Sequence, residues 1–135
     1  MEQQTKDPRI QVNTAIANDI IAHVASDPTD DAAIWDKHWS PGCVSVEGDG
    51  SVHEGRAAME KKYEWWYDTV TMHSCVASGP WVGPEGFAIK YTIDCEAKDG
   101  SWPRMKMDEI AHYTVSEGKV VREQFMSNPA DCADA

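Results

Sequence analysis

The spacing of the apolar residues changes near residue 70, and this change constrains the fold more than any other feature of the chain. Before that point apolar residues recur at helical spacing; after it they alternate. Asp7-Pro8 puts a capping residue ahead of a proline at the first helical position. Val12, Ile16, Ile20 and Val24 then recur every four residues, which predicts a helix over roughly 8–26. Ser26-Asp27-Pro28 repeats the start signal, and Ile34, Trp35, His38 and Trp39 predict a short second helix that stops at Ser40-Pro41-Gly42. Residues 43–47 read as a short strand followed by the turn Gly48-Asp49-Gly50. Gly55 opens a third helix with the stripe Met59, Tyr63, Trp66 and Val70. Residues 71–78, 87–97, 102–115 and 119–127 read as four long strands. Lys98-Asp99-Gly100 and Ser116-Glu117-Gly118 supply two of their turns. Helices followed by a meander of strands predict an α+β fold, with helices on one face of an antiparallel sheet.

The 135 residues fit one domain over 1–135, with an ordered core of about 8–128 and short flexible ends. Twelve basic against 23 acidic residues give a net charge of −11, which argues against nucleic acid and anionic membrane surfaces as partners. No apolar run is long enough to span a bilayer. The first residues lack the apolar core of a signal peptide, so the expected location is cytoplasmic. Cys43, Cys75, Cys95 and Cys132 show no C-x-x-C spacing and read as reduced, packing thiols; no metal site is expected.

Alternation assigns the strand faces. Phe87, Ile89, Tyr91, Ile93 and Cys95 form an inward set. So do Met105, Met107, Glu109, Ala111 and Tyr113, and then Val121, Glu123 and Phe125. Two glutamates, Glu109 and Glu123, thus fall on an apolar face. A buried carboxyl costs several kcal/mol unless paired or protonated, and burial makes it a candidate acid or base. The bland reading places both at a wet rim. No inward Lys or Arg on these strands is available to pair with them. Lys61 and Lys62 read as solvated helix face. His23 lies on the face of Ile16 and Ile20, as a bonded core or rim residue or as a site residue; the face of His73 is not assigned.

Four stretches carry a resemblance. They are Trp35-Asp36-Lys37-His38-Trp39-Ser40-Pro41-Gly42-Cys43-Val44-Ser45-Val46-Glu47, Glu54-Gly55-Arg56-Ala57-Ala58-Met59, Gly86-Phe87-Ala88-Ile89, and a closing hairpin from Tyr113 to Phe125. In this order the chain resembles the nuclear-transport-factor-2-like superfamily, also described as SnoaL-like or ketosteroid-isomerase-like. The resemblance implies a cone-shaped, curved antiparallel sheet wrapped around three N-terminal-half helices and enclosing an apolar pocket. It also implies homodimers through the outer sheet face. The superfamily holds isomerases, polyketide cyclases, dehydratases, epoxide hydrolases and binding-only members, so the fold does not name a reaction.

By the same resemblance Glu47 falls where ketosteroid isomerases carry a general-base aspartate, although alternation sets it opposite Val44 and Val46. Glu123, Ile89, Tyr91, Tyr63 and Phe125 fall at pocket-lining positions. Ala111 stands where the isomerases have an oxyanion acid, and their oxyanion tyrosine falls near His23. The inward positions supply no Arg of the epoxide-hydrolase kind.

The expected function is a cofactor-independent enzyme for a small apolar, carbonyl-bearing molecule. Glu47 or Glu109 would take a proton beside the carbonyl. A protonated Glu123 or Glu109, with Tyr63 or Tyr113, would support the enolate. His23, Tyr63, Trp66, Ile89, Tyr91, Met107, Tyr113 and Phe125 would line the pocket. The alternative is a non-catalytic ligand-binding or assembly module.

Overall fold

The computed structural model describes residues 7–129. Cys132 and most of the expected flexible ends lie outside the described residues. Helix α1 (Pro8–Ser26) begins where the Asp-Pro signal placed it: the Asp7 carboxylate accepts the Arg9 backbone N–H at 2.9 Å, with Pro8 at the first helical position. Its buried stripe is Asn13, Ile16, Ala17 and Ile20. Helix α2 (Asp31–His38) starts later than expected, because the side chain of Asp30, and not the Ser26-Asp27 pair, caps it. Strand β1 (Trp39–Val46) follows directly, running through Ser40-Pro41-Gly42, which was expected to be a break. A short strand β2 (Val52–Glu54), absent from the sequence reading, pairs with β1 after the Gly48-Asp49-Gly50 turn. Helix α3 (Arg56–Thr69) then leads into β3 (Val70–Val82), β4 (Gly86–Ala97), β5 (Met105–Ser116) and β6 (Lys119–Ser127).

The six strands form one sheet in the order β2-β1-β6-β5-β4-β3. Consecutive long strands pair antiparallel, with Phe87 opposite Tyr113, Tyr91 opposite Glu109 and Ala111 opposite Phe125. Two expectations are overturned here. The sheet is mixed and not antiparallel, because β1 lies parallel to β6, with Ser45 beside Glu123. The sheet is also open, with β2 and β3 as its free edges, and it is not strongly curled. The expected cone wrapped around the helices is therefore incorrect. Alternation states which face is inward, but it carries no information on how far a sheet closes. The helices themselves supply the second wall of the core: α1 packs on β3 and β4, and α3 on β1, β2 and β3.

The inner face of β4 follows the expected alternation, with Phe87, Ile89, Tyr91, Ile93 and Cys95 buried. In β6 the alternation breaks. Val120, not Val121, is buried, because a bulge between the Val115–Val120 and Thr114–Arg122 pairs leaves Val121 as the extra residue. Glu123 still faces inward. Gly86 is required by a close approach: a Cβ there would run into the Tyr113 carbonyl of the neighbouring strand. Cys43, Cys75 and Cys95 are free thiols. No helix among the described residues is long and apolar enough to cross a membrane.

Candidate active site

Helices and sheet enclose a cavity of about 200 Å³. On β1, Cys43 and Ser45 are buried, and Glu47 continues that face into the cavity wall; Val44 and Val46 take the other face. The polar residues of β1 therefore point inward and its valines do not, which resolves the direction of Glu47. From β5 come Met107, Glu109 and Tyr113, and from β6 Glu123 and Phe125. Tyr91 enters from β4, His23 from α1, and Tyr63 and Trp66 from α3. Ile89 does not reach the cavity; it is fully buried in the core behind it. His73 lies outside it, with its ring against Glu96 at 3.0 Å.

The three glutamates occupy three different environments. Glu123 is 1% exposed and meets only donors. Trp39 Nε1–H donates to Oε1 at 3.1 Å; the hydroxyls of Ser45 and Tyr63 donate to Oε2 at 2.7 and 3.0 Å. A buried carboxylate is tolerated when its lone pairs are satisfied in this way. With both oxygens accepting, Glu123 has no role left as a hydrogen-bond donor.

Glu47 instead pairs with Lys62, Nζ to Oε1 at 2.9 Å. Lys62 departs most from the sequence reading, which had it in solvent. Its side chain is only 10% exposed. The ammonium donates to Ser45 Oγ at 2.7 Å and lies 3.6 Å from Glu123 Oε2. It also sits 4.6 Å from the Tyr63 ring centroid and 4.4 Å from that of Phe125. A signal for this was present: Lys62 is three residues after Met59 and four before Trp66, the spacing of the buried stripe.

The Glu109 carboxyl accepts no hydrogen bond from the described residues. Burial pushes its carboxyl up to about 7, the negative charge of Glu47 adds to this, and the Lys62 ammonium opposes it. Opposite it on β4 stands Tyr91, whose hydroxyl lies 2.8 Å from that of Tyr113. Burial raises both phenols far above neutral pH, so both keep their protons. One O–H of the pair is spent on the other, and one remains to donate.

Two further polar residues escaped the sequence reading. Asp31, at the start of α2, lines the cavity and accepts the Tyr67 hydroxyl at 2.6 Å. Burial is the main cause that pushes Asp31 up to about 6. Among the described residues no group of His, Cys, Asp and Glu side chains converges as a metal site requires.

The order of the elements agrees with the SnoaL-like, nuclear-transport-factor-2-like class. The chain belongs to the SnoaL-like domain family, whose sequence model matches residues 14–127. No curated protein gives a significant match. Among solved structures, a Mesorhizobium loti protein provisionally named a SnoaL-like polyketide cyclase is 29% identical, with a TM-score of 0.74, covering 83% of this chain and 96% of its own. A Jannaschia protein of the same provisional name is 14% identical, with a TM-score of 0.74 over 98% of this chain and 96% of its own. A Burkholderia pseudomallei protein described as NTF2-like and of unknown function is 11% identical, also at 0.74, over 91% of this chain and 95% of its own. The last two likenesses speak to the fold alone.

Proposed function

We propose that the chain is a cofactor-independent acid/base enzyme, of the isomerase, cyclase or dehydratase type, acting on a compact apolar molecule with a carbonyl group. The observation that carries this reading is Glu109: a carboxyl in an aromatic cavity, without a hydrogen-bond donor of its own, paired across the strands with Tyr91, whose hydroxyl meets that of Tyr113. As a carboxylate it takes the proton from the carbon beside the carbonyl. The C–H electrons form the enolate double bond, and the carbonyl oxygen gains the charge. The unspent O–H of the tyrosine pair donates to that oxygen. Protonated Glu109 then returns its proton to carbon. Glu47, tied to Lys62, and Glu123, saturated with donors, serve as fixed charges that shape the site. The polyketide-cyclase name of the Mesorhizobium loti relative favours the same carbonyl-bearing class.

The test is α-proton exchange of 1-tetralone in deuterated buffer, followed by proton NMR. Exchange is expected to be first order in protein and to rise with pH through about 7, as Glu109 loses its proton. Saturable binding with no acceleration of exchange would make the protein a binding module. A carboxyl-carbon NMR titration should place Glu109 near 7.

The outer sheet face favours a second copy of the chain as partner. Val76 and Trp81 on β3 and Met126 on β6 are large and exposed there, with Ile110 opposite Met126. Sedimentation velocity is expected to show a dimer; monomer alone would end this expectation.

A further inference from the structure

The end of the cavity walled by α1, α2 and α3 carries the Asp31 carboxyl, with His23 and Tyr67 beside it. Tyr67 spends its proton on Asp31 Oδ2 at 2.6 Å, and Asp31 Oδ1 receives no hydrogen bond from the described residues. His23 Nε2 lies 2.7 Å from the Asp30 carbonyl, which only accepts. Nε2 therefore donates to that carbonyl. This wall lies further along α3 than the Lys62 cluster. Tyr67 follows Lys62 by five residues on α3, about 7.5 Å along the helix axis at ~1.5 Å per residue.

We propose that Asp31, with His23 beside it, is a specificity subsite that holds a hydrogen-bond donor, a hydroxyl or an amine, on the end of the substrate remote from its carbonyl. A partly buried carboxylate with a free oxygen is costly, and a donor on the ligand offsets that cost. An ether or ketone oxygen at the same place meets the Asp31 carboxylate, which has no proton to donate above about 6, and is rejected. Burial raises the Asp31 carboxyl, with smaller contributions from Glu123 and Asp30; the Tyr67 hydrogen bond and His23 oppose it. Asp31 still remains mainly ionised above about 6. The proposal deepens the carbonyl reading and rests on it for the placement of the other end. The substrate class becomes a compact ring system with a carbonyl at one end and a hydroxyl or amine at the other.

The experiment compares 1-tetralone with its 6-hydroxy, 6-amino and 6-methoxy derivatives at pH 7.5. Binding is read from quenching of tryptophan fluorescence, since Trp35, Trp39 and Trp66 line the cavity. The hydroxy or amino compound is expected to bind at least ten-fold more tightly than 1-tetralone, and the methoxy compound no more tightly. Asp31→Ala should reduce the ten-fold preference to less than three-fold. Tyr67→Phe, which frees the second Asp31 oxygen, should preserve it. A merely structural role for Asp31 would weaken all four ligands equally. Equal affinity of the four compounds for the unaltered protein, or no saturable binding of any of them, overturns the proposal, and neither result depends on a variant folding. Failure of the carbonyl chemistry shows separately, as absent α-proton exchange on the same ketones with the donor preference intact.

Discussion

Glu109→Gln is expected to lose α-proton exchange by roughly 10²–10⁴-fold, the usual contribution of a positioned base, and to be more stable than the unaltered protein at pH 8. Both effects have one cause. Burial makes the carboxylate form of Glu109 costly, and the same cost makes it a base near neutrality. The folded carboxyl titrates near about 7, against an ordinary 4.5 in the unfolded chain. Between those values the folded state binds more protons than the unfolded state, so stability falls as pH rises. Below about 4.5 both states are protonated and the penalty vanishes; above about 7 it is fully expressed. That interval corresponds to roughly 3 kcal/mol. The gain for Gln is smaller, because its amide is itself polar and buried. Urea denaturation at pH 4.5 and pH 8 checks the stability half: the variant should gain at the higher pH only. Retained exchange activity would remove Glu109 from the mechanism, whatever the denaturation shows.

Local pattern revealed the elements better than their assembly. The four-residue recurrence of Val12 to Val24 and the Asp7-Pro8 start located α1, because capping and amphipathicity act within a few residues of each other. The alternation from Phe87 to Cys95 identified the inner face of β4, and that from Met105 to Tyr113 put Glu109 inward. What was not legible depends on distant segments. Parallel pairing of β1 with β6 joins residues nearly eighty positions apart, and no local motif encodes it. The openness of the sheet, with β2 and β3 at its edges, is likewise a property of the whole strand order and not of alternation. The inward face of β1 was obscured because its polar residues, Ser45 and Glu47, face the cavity while Val44 and Val46 do not. Lys62 was missed because a lysine on a helix is ordinarily solvated. Its burial makes sense only beside Glu47, Ser45 and Glu123, which come from two other elements.

Glu123→Ala is expected to cost about 3–5 kcal/mol of stability, the scale for breaking a buried charge network by removing one partner. The carboxylate ties β6 to β1 through Trp39 and Ser45 and to α3 through Tyr63 and Lys62. Without it, the Trp39 indole N–H and the Ser45 and Tyr63 hydroxyls lose their acceptor in a space that water scarcely enters. Glu123→Gln should cost less, about 1–3 kcal/mol, because its amide oxygen keeps some of those donors while its NH₂ faces the others. Lys62→Met should cost least of the three. Glu123 then retains its three neutral donors, and Glu47, whose side chain is 31% exposed, turns to water. This ranking is the measurable content, read from urea midpoints with an unchanged denaturant slope. If Lys62→Met proved the most damaging, the ammonium and not the carboxylate would be the structural centre of the network. A Glu123→Ala variant within about 1 kcal/mol of the unaltered protein would mean that its donors find other partners, and that Glu123 does not hold the two halves of the cavity together.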